Sequence, residues 1–268
     1  MSGTFIPSTI DIDNLSITLG TGSARFTAVQ DFRLSVNSGE LICLLGPSGC
    51  GKSTVLGALA GHLHAKGKLL VDGQMVSGPA PDRGLVFQHH TLLPWRRVED
   101  NVGFSLKMRG VPRKKRNEEV RRLLALVGLS GFEKHWPSQL SGGMQQRVEL
   151  ARVLIGHPRL LLMDEPFGAL DALCRVDMQA LLLSIWSKLP TTIVFVTHDI
   201  DEAIFLADRI LIMSERPGRI IEDIPVHLPR PRDSELVTSP EFIRIKRHCL
   251  ALLNHKNGQE LPRLSPIT

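Results

Sequence analysis

Short runs of consecutive apolar residues alternate along this chain with stretches whose apolar residues recur every three or four positions. Leu41 to Leu45 (LICLL), Leu160 to Met163 and the run TTIVFVTH, which ends at His198, have the length and character of buried strands. KSTVLGALAG from Lys52 has helical spacing. In MQQRVELARVLIG, Met144, Val148, Ala151 and Ile155 fall on one helical face. GLVFQ is a shorter apolar stretch ending at Gln88. Residues 16–36 read as β-hairpin material, with FRLSV alternating in character. Residues 99–157 are mostly helix-patterned. Apolar runs alternating with helices predict an α/β core. Near the C-terminus, PRPRD reads as a linker and PEFIRIKRHCLALL as one amphipathic helix with Pro240 near its start.

Residues 46–53, GPSGCGKS, lie between the first predicted strand and its helix. Gly46, Gly49 and Gly51 let the backbone approach a ligand closely. The backbone of residues 47–53 can then curl around an oxyanion as a nest, with Pro47 shaping the turn and N–H groups donated from Ser48 onward. Lys52 reaches β- and γ-phosphates, and the Ser53 hydroxyl can ligate Mg²⁺. The helix N-terminus adds partial positive charge there. Cys50 sits beside Lys52 and near that terminus, which predicts a thiol of lowered pKa whose alkylation blocks nucleotide binding.

About ninety residues later the chain reads LSGGMQQR, from Leu140 to Arg147. Ser141 is placed as an N-cap, and Gly142 and Gly143 leave the amide-rich helix end bare enough for a phosphate. The strand at Leu160 to Met163 runs into Asp164 and Glu165. A carboxylate at a strand end can hold hydrated Mg²⁺, and its neighbour points to the other side of the strand. Asp164 is therefore assigned to metal and Glu165 to the attacking water. His198 can contact the γ-phosphate, and Gln88 supplies a neutral oxygen for metal or water. Polar residues at the carboxyl ends of parallel strands are where an α/β sheet puts its ligand.

Taken together, these strings resemble the ATP-binding subunit of an ABC transporter, over about residues 12–230. GPSGCGKST resembles the Walker A motif, bringing Thr54 into the nucleotide set, and VFQ at 86–88 resembles the Q-loop. LSGGM resembles the ABC signature, LLLMDEP the Walker B motif, GALD at 168–171 the D-loop and THD at 197–199 the H-loop. The resemblance implies an α/β P-loop ATPase domain over 8–230. An antiparallel β subdomain and a helical signature subdomain, inserted at about 92–157, belong to it. A short helical tail occupies 231–268. It implies ATP and Mg²⁺ as ligands and a head-to-tail dimer of ATPase subunits, with Asp171 at the dimer contact. In that dimer Ser141, Gly142 and Gly143 of one subunit face the γ-phosphate held by the other. Longer stretches, GLVFQHHTLLPWRRVEDNVGFSL and THDIDEAIFLADRILIMSERPGRI among them, resemble the nitrate, taurine and aliphatic-sulfonate importer group. That group implies integral-membrane permease partners, an extracytoplasmic solute-binding protein and a small anionic solute.

Two departures from the family stand out. Met144 replaces the usual Gln after the signature glycines. Family members also stack adenine on an aromatic residue, commonly Tyr, and this chain has no Tyr. The expected position falls near Leu19, with Phe26 the nearest aromatic alternative, so weak discrimination among triphosphates is expected. The segment from His89 to Arg97 (HHTLLPWRR) carries Leu92, Leu93 and Trp95 beside charges, the composition of an exposed docking surface. In the family this neighbourhood receives a short helix of the membrane subunit, which assigns permease coupling to Leu93 and Trp95.

Composition narrows the picture further. No apolar stretch approaches the ~18–20 residues that span a bilayer, and no secretory signal is legible. The four cysteines show no metal or disulfide spacing. A reducing cytosol and a peripheral position on the cytoplasmic face of the inner (plasma) membrane are expected. The net charge of +5 raises a rival, an ABC-type ATPase acting on nucleic acid. No aromatic base-stacking platform accompanies the basic clusters, so no nucleic acid is expected. A second rival, a module that holds ATP without hydrolysing it, is opposed by Glu165 and His198.

Overall fold

A computed structural model describes residues 6–88 and 91–254. In chain order the elements are β1 (Ile10–Leu19), β2 (Phe26–Val36), β3 (Leu41–Leu45), α1 (Lys52–Leu59), β4 (Lys66–Val71), β5 (Gln74–Met75) and β6 (Arg83–Val86). There follow α2 (Val98–Val102), α3 (Phe104–Met108), α4 (Arg113–Leu126), α5 (Gly142–Leu154), β7 (Leu160–Asp164) and α6 (Ala172–Lys188). The chain continues with β8 (Thr192–Thr197), α7 (Ile200–Leu206), β9 (Arg209–Met213), β10 (Ile220–Pro225) and α8 (Pro240–Asn254).

The predicted α/β core is present as a sheet of order β10-β9-β3-β8-β7-β6, in which only β10 runs antiparallel to its neighbour. Its inner strands β3, β7, β8 and β9 are mostly apolar and buried along nearly their whole length because both faces are covered. Successive side chains alternate between those faces. Leu41, Cys43 and Leu45 of β3 join the core under the helices, together with Met163 and Phe195. Ile42 and Leu44 join a second core with Leu162, Val194 and Val55 of α1. An antiparallel sheet of order β2-β1-β4-β5 closes this second core through Ile12, Ile17, Phe32 and Leu34. The hairpin expected at 16–36 thus starts six residues earlier, at Ile10, and β4 extends it on the other side of β1.

The helix-patterned stretch 99–157 divides into four helices, α2 to α5, with an irregular segment between α4 and α5. Val120, Leu123, Val148 and Ala151 hold them together on the helical side of the main sheet. The segment before α2 is stapled by Asn101, which is fully buried. Its side-chain amide donates to the carbonyls of Leu93, Arg96 and Arg97, and its oxygen accepts from the Leu93 amide at 2.8 Å. A loop with its backbone groups satisfied this way keeps one shape.

The stretch PRPRD is not a free linker. Arg230 pairs with Asp208 at 2.7 Å. Arg232 is 8% exposed and donates to the carbonyls of Ile204, Phe205 and Ala207 at the end of α7. These carbonyls have no partner within the helix, so a buried guanidinium satisfies them. The tail helix α8 buries Phe242, Ile245, Cys249 and Leu252 in the core, at the spacing its sequence predicts. Lys246 and His248 tie it to Asp201 and Glu222. The last residues of the expected tail, 255–268, lie outside the described residues.

Candidate functional site

Three neighbouring parallel strands bring the predicted chemistry to one edge. Leu45, the last residue of β3, is paired with Thr197 of β8, and Val196 is paired with Asp164 of β7. The segments after these strand ends therefore emerge side by side: the glycine-rich loop, Glu165, and His198. The glycine-rich loop runs into α1, whose first turn holds Lys52 and Ser53. Gly49 and Gly51 adopt left-handed backbone angles, φ 78° and 108°. A Cβ on Gly51 would lie 2.8 Å from Val29 Cγ2, so both shape and space require glycine there.

Lys52 is 4% exposed, and its ammonium donates to the carbonyls of Gly46 (2.8 Å) and Pro47 (3.0 Å). It thus arches over the loop whose amides it accompanies. Ser53 Oγ donates to Asp164 Oδ1 at 2.8 Å. Burial raises the Asp164 carboxyl above the usual carboxylate range, against the lowering effect of the Ser53 hydrogen bond. Glu165 follows with left-handed φ of 43°. Its Oε2 is 2.8 Å from His198 Nδ1, and its Oε1 is 4.0 Å from the Lys52 ammonium. At that separation the attraction to Lys52 is roughly 4 kcal/mol at an effective dielectric near 20, much of it cancelled by desolvation. The pair therefore acts chiefly to hold the carboxylate in place.

Ser48, Gly49, Gly51, Lys52, Ser53, Thr54, Gln88 and Glu165 line one cleft of about 300 Å³. Leu19, Phe26, Ala28 and Arg216 continue its wall. Both residues named for the base, Leu19 and Phe26, therefore border the same cleft, facing each other as cross-strand partners in β1 and β2.

The signature residues stand elsewhere. Ser141 caps α5, accepting from the Met144 amide at 3.3 Å. Ser141 and Gly142 are exposed, and a separate depression lined by Ser141, Gly143, Met144, Arg147 and Cys174 surrounds them. Within one chain the fold does not bring Ser141, Gly142 and Gly143 to the glycine-rich loop. Asp171 is the N-cap of α6, accepting from the Cys174 amide at 3.0 Å. Sequence reasoning missed Arg175, which bonds Asp199 at 3.3 Å and the Leu170 carbonyl, tying the 168–171 segment to the loop that carries His198. Its signal was a cation one helical turn after Asp171.

Two expectations are corrected. Leu92 is buried, because the Asn101 staple turns the loop inward, so the loop presents Trp95, 69% exposed, with half-buried Leu93 beside it. His89 and His90 of the same segment lie outside the described residues. Cys50 is not an activated thiol. It is 1% exposed and packed in the core beneath the antiparallel sheet. Burial pushes its pKa up and outweighs the lowering by Lys52 and by backbone hydrogen bonding.

A glycine-rich loop on a parallel α/β sheet, backed by Asp164, Glu165 and His198, defines a nucleoside triphosphatase of the P-loop class. Residues 29–168 match the family model described as ABC transporter. The chain belongs to that family, as an ATP-binding, ATP-hydrolysing subunit. It is 46% identical to an uncharacterised ABC transporter ATP-binding protein of Methanocaldococcus jannaschii, over 91% of each chain. It is 43% identical to the taurine import ATP-binding protein of Escherichia coli strain K12, over 84% of this chain and 90% of that one. A dimeric, post-hydrolysis structure of the ATP-binding cassette MJ0796, bound to ADP and Pi, superposes with TM-score 0.71 at 28% identity, covering 82% of this chain and 100% of that one. Among the described residues, no helix is long and apolar enough to cross a membrane.

The cysteines give a direct check on the buried loop. Cys43, Cys50 and Cys249 are buried, and Cys174 is partly exposed. Iodoacetamide near neutral pH should label Cys174 first and leave Cys50 unmodified in the folded protein, as read by peptide mass spectrometry. Labelling of Cys50 ahead of Cys174 would contradict the buried, raised-pKa thiol.

Proposed function

We propose that this chain is the ATP-hydrolysing subunit of a membrane ABC importer, and that two copies sandwich two ATP molecules head to tail. The observation that carries the reading is a division of labour. Lys52, Ser53 and Glu165 line one cleft, with Asp164 bonded to Ser53 and His198 to Glu165, while the capped helix end with exposed Ser141 and Gly142, followed by Gly143, stands apart from it. A helix N-terminus with bare glycines favours an anion, and among the described residues the glycine-rich loop lies in a different cleft. A second copy supplies the anion. Asp171, beside that surface, is read as a contact across the dimer.

In this reading the loop amides and Lys52 hold the β- and γ-phosphates. Glu165, steadied by His198 and Lys52, orients a water and takes its proton as the water oxygen attacks the γ-phosphorus. The bond to the β-phosphate oxygen breaks, and ADP and phosphate leave. Signature amides from the second copy stabilise charge on the γ-phosphate. The donor set also fits Mg²⁺. Ser53 Oγ, Asp164 Oδ1 and Gln88 are oxygen donors on or beside one cleft, and Asp164 is a carboxylate whose burial leaves its charge undercompensated. Ser53 and Asp164 would hold the ion with Gln88 beside them, and the ion would neutralise charge on the β- and γ-phosphate oxygens.

Transmission to the membrane is assigned to the segment 91–97. The Arg152 guanidinium of α5 donates to the Thr91 carbonyl at 2.8 Å, and Glu149 of α5 accepts from the Thr91 amide and hydroxyl. The helix that starts at the signature is thereby wired to the loop that exposes Trp95. Closure over ATP moves both together, and a permease seated on Leu93 and Trp95 is driven between two states. The taurine-import relative supports uptake of a small anionic solute such as nitrate, taurine or another sulfonate, with an extracytoplasmic solute-binding protein. Another small organic substrate of the same importer group is the alternative. The position is then peripheral, on the cytoplasmic face of the inner membrane.

Glu165→Gln should bind ATP yet hydrolyse it on the order of 10²-fold or more slowly, the scale of a lost general base. It should also accumulate as an ATP-dependent dimer in size-exclusion chromatography. Turnover at the wild-type rate would refute the role given to Glu165. Trp95→Ala should retain ATP affinity while losing permease co-purification or stimulated transport. Normal transport by that variant would remove the docking role from this loop.

A further inference from the structure

The cleft that holds the phosphate-binding loop has a second end, and its lining is of another kind. Beyond Ser48 and Gly49 it is walled by Leu19, Phe26, Ala28 and Arg216. The Arg216 guanidinium lies over the Phe26 ring, its carbon 4.5 Å from the ring centroid. Its Nε and Nη2 both donate to the Gly49 carbonyl, at 3.3 and 3.0 Å. A planar cation thus lies over an aromatic ring, and two of its donors are spent on the loop.

The backbone under Arg216 is fixed as well. The turn between β9 and β10 is closed by the Ser214 amide donating to the Arg219 carbonyl at 2.9 Å. Gly218 is bonded to β2 on both sides, its amide to the Ala28 carbonyl at 2.9 Å and its carbonyl to the Gln30 amide at 3.1 Å. A Cβ on Gly218 would sit 2.1 Å from the Cys50 carbonyl oxygen, so the turn lies directly against the phosphate-binding loop. Among the described residues no carboxylate pairs with Arg216. Arg216 is held in place by stacking and by Gly49, not by an ion pair.

We propose that the Phe26–Arg216 stack is the base platform of the ATP site, with Arg216 as the residue that grips the base. The inference rests on the reading of the glycine-rich loop as the phosphate site. With the phosphates held by that loop, the rest of the nucleotide extends along the cleft toward its apolar end. The base is the nucleotide's one large planar aromatic part. A guanidinium stacks on π-faces, and its planar fork, unlike the ammonium of Lys, offers a plate. Stacking tolerates any base because every base has a π-face. The site therefore grips the base firmly and discriminates weakly between adenine and guanine.

The test is equilibrium binding to the full-length protein of ATP, GTP and inorganic tripolyphosphate, for wild type, Arg216→Ala, Arg216→Lys and Phe26→Ala. Wild type should bind ATP and GTP with dissociation constants within about threefold of each other, as stacking without hydrogen-bond readout predicts. Arg216→Ala and Phe26→Ala should each weaken both nucleotides by at least about fivefold, the lower bound for loss of one base-stacking layer. Tripolyphosphate affinity should stay unchanged, and Arg216→Lys should not restore nucleotide binding. Unchanged or tighter ATP binding by Arg216→Ala would overturn the platform, as would a strong ATP preference in wild type. So would an equal loss of tripolyphosphate affinity, or rescue by Lys, since either marks a phosphate contact. Lys52→Ala, measured alongside, separates the two readings. If it binds tripolyphosphate as wild type does, the phosphate site itself is misassigned and the platform falls with it. If it loses tripolyphosphate, the phosphate site stands and the Arg216 results judge the platform alone.

Discussion

The site depends on the parallel, in-register pairing of β3, β8 and β7. Leu45 stands beside Thr197, and Val196 beside Asp164, so three strand ends meet at one edge of the sheet. Each strand then delivers a different chemical part: a phosphate nest, a histidine and a pair of carboxylates. The period of a strand is two, so a slip of one residue in β7 would exchange the faces presented by Asp164 and Glu165. The buried alternation that joins Leu161 and Met163 to one core and Leu160 and Leu162 to the other guards against that slip. Core packing and catalytic geometry are here the same constraint.

In the proposed reading that edge builds half of an ATP site. Glu165 is restrained from two sides, by Lys52 and His198, and Asp164 by Ser53. The proposed other half sits on α5, whose N-terminus Ser141 caps and whose first residue, Gly142, is exposed. The same helix carries Glu149 and Arg152, which grip Thr91 ahead of the exposed Trp95. In the proposed reading one helix thus links the place where a second copy's nucleotide is sensed to the place where a membrane partner is read.

Much of this was legible in the sequence because the parts are contiguous strings. The phosphate-binding loop, Ser141 as a cap and Asp164–Glu165 at a strand end each follow from neighbours within a few residues. The two-faced strands announced a covered sheet. What was not legible depends on residues far apart in the chain. Arg216 meets Gly49 across 167 positions, and Arg175 meets Asp199 across 24. No local pattern marks either pairing. Leu92 and Cys50 were misread for a related reason. An apolar residue beside charges and a thiol beside a lysine look exposed and activated in a string, but Asn101 folds the first inward and the core covers the second. Burial is a property of the fold, and it outweighed the local charge.

The central claim is that an ATP held by one copy's glycine-rich loop touches the signature of another. It is tested most directly by a photoreactive ATP carrying its reactive group on the γ-phosphate, used with two differently tagged copies of the chain. One copy is wild type and the other carries Lys52→Ala, so that its own loop holds no nucleotide. The account predicts labelling of the Lys52→Ala copy at residues 141–143 when wild type is present, and none when it is alone. Absence of label at those residues in the mixture, or the same label without wild type, would contradict it.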